Sequence, residues 1–406
     1  FEIAPAIPSL HRQLLLTRLI LARKENKMTT DQAAMLAQEL ARLLDQVQTE
    51  QLSFNKINAL VKDEGLSKHW LKTLEFLTIL TQHWPSILAQ HGVIDPAERR
   101  NRLLDAQTKL WQQRPPPGPV IAAGSTGSIP ATADLLKTIS QMENGSVVLP
   151  GLDKEVDEFV WQALEPSHPQ YGLANLLKHL QIERIDVVDW ESPINIVAPK
   201  SRFKLINQAL IPASVTDQWQ NRIKQDPEAL QGVTLLEAYN EKEEAGMIAL
   251  ALRQTLETPG KTAALVTPDR TLARRVATEL GRWKIDIDDS AGNPLVKTPP
   301  GTFIRQCAHV AADGIAPIAL LSLLKHPYAA GGIEPAQLRQ HVRCLELKLR
   351  RGPRTGKGFS ALKAAMQDAN RREDHVLNKL INGLEQIITP FALLFEMPEV
   401  PLKDLL

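Results

Sequence analysis

The chain has 406 residues, 43% hydrophobic and 23% charged, which are the proportions of a globular protein with roughly two to four domains. Lys and Arg total 47 against 46 Asp and Glu, so bulk charge does not mark a nucleic-acid binder, and any such surface must be a local patch. No apolar run approaches about 18 residues and no signal peptide opens the chain; Cys307 and Cys344 are too few and too far apart for a zinc or iron–sulfur site, and two unpaired thiols fit a reducing cytoplasm.

Residues 1–114 read as helical. Leu14, Leu15, Leu16, Leu19, Ile20 and Leu21 make one apolar helix. Thr30 or Asp31 caps the next, which carries Leu36, Leu40, Leu43 and Leu44. Trp70, Leu71, Leu74, Leu77, Leu80 and Trp84 fall at helical spacing between Ser67 and Gln90, which makes the tryptophans core anchors rather than base-stacking platforms. Asp95-Pro96 opens a last helix through Trp111, with Arg99, Arg100 and Arg102 at its start.

Pro115-Pro116-Pro117-Gly118 is the clearest linker. After it, Pro119–Ala123 is a short apolar run ended by Gly124. Ser125, Thr126, Gly127 and Ser128 are free to turn, and Pro130 suits the first turn of a helix. Leu135, Leu136 and Ile139 share one helical face, and Asn144-Gly145 turns the chain into Val147-Val148-Leu149. Two apolar strands joined by an amphipathic helix predict a βαβ unit and a parallel sheet over 115–192. A turn at the carboxyl end of such a strand is where open α/β sheets bind ligands; it is equally an ordinary βα connection.

Short helices over Val156–Leu164 and Tyr171–Leu180 and an apolar run Ile185–Val188 complete that block. A second α/β block spans 193–292: a helix Ser201–Leu210, a strand Gly232–Ala238, a helix Glu241–Leu256, a strand Thr262–Val266, and a helix capped by Thr267-Pro268. The last helix turns Leu272, Val276, Leu280 and Trp283 inward and Arg270 and Arg274 outward. Residues 293–406 become helical again, through a strongly apolar Ile315–Leu324 to a long final helix. Three basic clusters stand out in this balanced chain: Lys200, Arg202 and Lys204; Arg270, Arg274 and Arg275; and Lys348, Arg350, Arg351, Arg354 and Lys357.

Several motifs fail on inspection. Arg351–Phe359, RGPRTGKGF, is one residue short of a phosphate-binding loop, has Gly358 in place of the metal-binding hydroxyl and lacks a preceding strand. It suits either a loop lying against phosphates or a solvated loop. Asp286, Asp288 and Asp289 read as a turn, not a metal cluster. No histidine stands at ligand spacing to another, and no serine or cysteine hydrolase pattern occurs. No metal site is expected.

The phrases VIAAGSTGSIPATADLL and VVLPGLD, with HWPSILAQHGVIDPAERRNRLL, HPQYGLANLL, ALVTPDRTLARRVATEL and DDSAGNPLVKTPPGTF, resemble the AddB family, of the alphaproteobacterial type, across nearly the whole chain. That family provides the non-motor subunit of a helicase–nuclease that processes DNA double-strand breaks for recombinational repair. The resemblance implies an internal stretch of a longer protein, with two RecA-like, superfamily 1 helicase-like domains (115–192 and 193–292) and inserted helical subdomains (1–114 and 293–406). It implies as partners an AddA-like motor subunit and DNA, both double-strand ends and unwound strands, in the cytoplasm and without a membrane. It assigns magnesium and an iron–sulfur cluster to the full-length protein, outside this chain, and no cofactor to these residues. In superfamily 1 motors the corresponding strand ends in Asp-Glu, which hold magnesium and position the water that attacks ATP. Here Ala122 and Ala123 stand in that place, followed by Gly124, Ser125, Thr126, Gly127 and Ser128, and methyl groups neither bind a hard cation nor accept a proton. VVLPGLD, with Gly151 and Asp153, stands where motors carry a glycine-aspartate sensor. Arg202 stands where they place a nucleotide-contacting arginine. The expectation is a scaffold without ATPase or nuclease activity, touching DNA through Lys200, Arg202, Lys204, Arg270, Arg274, Arg275, Arg351, Arg354 and Lys357. The alternatives are a working ATPase whose phosphate loop lies upstream of Phe1, and a protein-interaction scaffold that does not touch DNA.

Overall fold

The computed structural model describes residues 2–22, 28–52, 82–190, 199–221, 226–351, 356–366 and 372–405. They form two compact units, Phe1–Leu235 and Leu236–Leu406.

In the first unit, α1 (Ser9–Leu21) and α2 (Thr30–Thr49) pack face to face. Their apolar stripes, Leu16 and Ile20 against Ala33, Ala37, Leu40 and Leu44, close over Trp84 and Leu88 of α3 (Trp84–Gln90). The cap of α2 is Thr29, one residue before the expected pair, and its N–H donates to Gln32 Oε1 at 3.2 Å. Trp84 is a core anchor as expected, whereas Trp70 and most of the helix predicted around it lie outside the described residues. Inside this helical layer sits a charge. Asp95, 1% exposed, lies 2.9 Å from Arg12 Nε and accepts from Trp84 Nε1 at 3.0 Å and Gln48 Nε2 at 2.9 Å. Asp95 also precedes Pro96 at the start of α4 (Pro96–Gln113), so one carboxylate ties α1, α2, α3 and α4 together.

Helix α4 runs on to pack against α5 (Pro130–Ser140), where Gln112 Nε2 donates to Thr138 Oγ1 at 3.2 Å. Strand β1 (Val120–Ala123) and strand β2 (Gly145–Val148) flank α5 and pair in parallel, Val120 with Gly145 through Ala123 with Val148. This is the predicted βαβ unit, begun by Pro130 in the first turn of α5. Ala133 and Leu136 of α5 pack with Leu176 and Leu180 of α7 (Tyr171–Leu180), over Ala122 and Val147 of the strands. Between them α6 (Glu158–Gln162) is a short helix, and α8 (Lys200–Ala209) follows α7.

In the second unit, α9 (Glu241–Leu256) and α10 (Arg270–Gly281) pack through Ala245, Ala249, Val276 and Leu280. Asn240 caps α9 by accepting from Lys242 N and Glu243 N, and three glutamates in its first turn complement the helix dipole. Asp269, rather than Thr267-Pro268, caps α10 by accepting from Thr271 N at 2.7 Å. A second core joins α11 (Pro299–Ala312), α12 (Pro317–Leu324), α13 (Pro335–Arg351), α14 (Phe359–Met366) and α15 (Arg372–Leu394) around Leu320, Leu338, Leu345, Leu362 and Ile381; α16 (Leu402–Leu405) closes the chain.

This architecture overturns the expected fold class. The described residues are mostly helical, and their one sheet is the two-stranded β1–β2 pair. Two RecA-like parallel-sheet domains are therefore not present. The predicted strands Gly232–Ala238 and Thr262–Val266 run largely without helix or turn but join no ladder. Apolar residues of high strand propensity favour an uncoiled backbone, but a strand exists only where a neighbour answers its N–H and C=O groups. The apolar run Ile185–Val188 likewise lies on the surface, Ile185 within a single turn at Arg184–Asp186. Among the described residues no helix is long and apolar enough to cross a membrane.

Candidate nucleic-acid interface and glycine-rich turn

The glycine-rich turn begins where the sheet stops. Gly124 N donates to Val148 O at 3.1 Å, the last rung, and the chain then turns with Gly124 at φ +79° and Gly127 at φ +61°. Ser125 Oγ accepts from Gly127 N at 3.2 Å. Gly127 is also pressed on Leu176 of α7: a Cβ there would sit 2.6 Å from Leu176 Cδ1. Ala122 is half-buried against the α5–α7 core, while Ala123 faces outward. From Ala122 to Ala133 the sequence contains no charged side chain, so the turn offers amides and the hydroxyls of Ser125, Thr126 and Ser128 but no carboxylate or cation.

The loop after β2 is built around Asp153 and its neighbours. Asp153 Oδ1 accepts from Glu155 N at 2.9 Å and Val156 N at 3.0 Å, and Gln170 bridges the loop by accepting from Asp153 N and donating to Gly151 O. Arg184 then locks it from outside. Its guanidinium donates to Val156 O at 2.9 Å, pairs with Glu158 at 2.5 Å and lies 4.4 Å over the Trp161 ring. The Arg184 hydrogen bond holds the Glu158 carboxyl below its ordinary pKa. Asp153 is thus occupied in shaping a loop. Gln170 and Arg184, which sequence reading missed, carry no local signal, because both act on groups far away in the chain.

The basic clusters divide between free and engaged cations. On α8, Arg202 Nε donates to Ala229 O at 3.0 Å and its second nitrogen to Gln231 O, so this guanidinium staples a loop. Lys200 and Lys204 are exposed and form no ion pair among the described residues, and both line a cavity of about 460 Å³ with Asp226 and Glu228. On α10, Arg270 grips Asp289 with two bonds, 3.0 and 2.6 Å. That pairing lowers the Asp289 pKa and raises that of Arg270. Asp289 Oδ1 also accepts from Ala291 N and its carbonyl from Gly292 N, so a turn opens at Asp289, with Asp286 and Asp288 ahead of it. Arg275 pairs with Glu241 at the start of α9. Arg274 anchors only its Nε, on Arg270 O at 3.2 Å. Arg274 and Arg275 line a cavity of about 740 Å³ between the first turns of α9 and α10, with Lys242, Glu241 and Glu279. Lys357 binds Asp313 at 2.6 Å, and this hydrogen bond depresses the Asp313 pKa. The Arg351 side chain and Arg354 lie outside the described residues.

Seven candidate cations are described; Arg202, Arg270, Arg275 and Lys357 already hold acceptors of this chain, and Arg274 does so through its Nε alone. Lys200, Lys204 and the outer nitrogens of Arg274 are the candidate groups that form no ion pair among the described residues, although carboxylates line the same cavities. Among the described residues no group of three His, Cys, Asp or Glu side chains is arranged to hold a metal ion. No family model matches the chain, and no curated protein matches it.

Proposed function

We propose that this chain is a DNA-holding scaffold belonging to an AddB-type subunit of a helicase–nuclease that processes double-strand breaks, and that it works beside an AddA-like motor in the cytoplasm without turning over ATP itself. The observation that carries the reading is the β1 strand with its turn. The phrase VIAAGSTGS, which resembles the AddB family's, occupies a strand–turn–helix connection whose strand ends in Ala122 and Ala123 rather than in acidic residues. A strand that ends in two methyl groups, followed by a turn without charge, supplies no carboxylate to hold magnesium or position an attacking water. DNA contact in this reading falls to Lys200, Lys204 and Arg274, which form no ion pair among the described residues.

Phosphate release from ATP tests the silent half of the proposal. The purified chain should release none above a blank, with or without tailed duplex; DNA-stimulated release that survives repurification would sink it.

One observation favours a second reading, a protein-interaction scaffold without DNA contact. Arg270, Arg275 and Lys357 are each neutralised by a carboxylate of this chain, and the total charge is close to zero. The two readings part on whether the chain binds tailed duplex at low salt.

A further inference from the structure

Two stretches of the second unit carry strand-forming sequence with nothing beside them. Leu236–Ala238 leads into α9 and Ala263–Val266 follows it, and neither contains helix, turn or bend. Among the described residues the backbone N–H and C=O groups of both stretches make no hydrogen bond. Their outer side chains are equally bare, Leu236 63% exposed and Val266 93%, while Leu265 is half-buried against the α9–α10 core. A strand–helix–strand connection of this kind sets its two ends parallel. Here the ends do not pair with each other. They flank a groove of about 360 Å³ whose lining includes Leu236 and Ala238, Ala263 and Leu265, and Ile248 and Leu252 of α9.

The chemistry of the groove selects its occupant. Each stretch presents backbone N–H and C=O groups without a partner among the described residues, and an added strand pairs with such a backbone at about 4.8 Å. The lining is apolar, which disfavours nucleic acid and small anions, and its one charged side chain is Glu244. An extended peptide answers two rows of backbone donors and acceptors and an apolar floor together. We propose that the groove between Leu236–Ala238 and Ala263–Val266 accepts one β-strand of another polypeptide, with apolar side chains toward α9 and a basic residue facing Glu244. This inference does not depend on the proposed function.

Amide hydrogen exchange on the full chain tests it. The probe is a synthetic peptide of about eight residues, alternating valine and threonine with a lysine at each end; the control has proline at the two central positions. In the free chain the amides of 236–238 and 263–266 should exchange fast. The probe should slow both stretches at least tenfold, and the control neither. Ala264→Pro, at an exposed residue whose N–H bonds nothing, should abolish the protection while leaving exchange in α9 and α10 unchanged. Slow exchange in the free chain, no change at millimolar probe, or protection of one flank alone would each overturn the proposal. Protection that grows with the concentration of the chain itself would assign the groove to a second copy and likewise overturn it.

Discussion

Removing the Asp95 carboxylate is the sharpest test of how the first unit is held. In Asp95→Ala, Arg12, whose side chain is 6% exposed, loses the charge lying 2.9 Å from its Nε. Trp84 Nε1 and Gln48 Nε2 lose their acceptor in the same step. Breaking a buried ion pair by deleting one partner costs about 3–5 kcal/mol, because the remaining charge is left without compensation. Asp45 still holds Arg12 NH1 at 2.8 Å, but at 44% side-chain exposure it is a weaker counter-charge, which offsets part of the loss. The expected destabilisation is therefore about 3 kcal/mol, or ~6–12 °C in Tm for a unit of this size. Urea unfolding read by exchange of α1 and α2 peptides isolates this unit from the other. Arg12→Met together with Asp95→Leu should recover most of the loss, since the volume is kept and no charge is stranded. A loss under about 1 kcal/mol in the single variant, or a double variant no better than the single, would refute the reasoning.

Three further outcomes follow from the site. Gly124 and Gly127 both have positive φ, but only Gly127 abuts Leu176; Gly127→Ala should cost about 2–3 kcal/mol and Gly124→Ala about 1, measured by the same denaturation. Asp289→Asn should free Arg270, tighten binding of tailed duplex and steepen its log K against log salt slope by about one unit; unchanged binding would remove Arg270 from the DNA surface. The Asp289 pKa is held below 3.8, so the tie is present above that pH and is lost as the pH falls through the lowered value. A carboxylate titration by NMR should therefore find it intact at neutral pH, and a midpoint at or above 3.8 would contradict it.

Much of the local structure was legible, and the limits are physical. Helix α9 begins and ends where its sequence says, because Asn240 caps it, the glutamates of its first turn suit the dipole, and Ile248 and Leu252 keep helical spacing. The β1–α5–β2 unit was legible for the same local reasons: a glycine turn, Pro130, and two short apolar runs. Leu236 and Val266 were misread because apolar alternation states how a backbone prefers to run but not whether another backbone lies beside it. The basic clusters were legible as clusters and not as surfaces. Arg270 finds Asp289 and Arg275 finds Glu241 only once α9, α10 and their following loop have folded. Arg12 and Asp95 were beyond reach altogether, since nothing in either neighbourhood marks a buried pair.

The most direct measurement is a salt titration of tailed-duplex binding by the wild-type chain and by a Lys200→Glu, Lys204→Glu, Arg274→Glu variant, which reverses the cations that form no ion pair among the described residues. If these three cations contact about three phosphates, the wild type should bind at low salt with a slope of roughly −2 to −3, and the variant should bind at least tenfold more weakly with a shallower slope. No binding by the wild type at low salt, or an identical affinity and slope in the variant, would contradict a DNA-holding role for these residues.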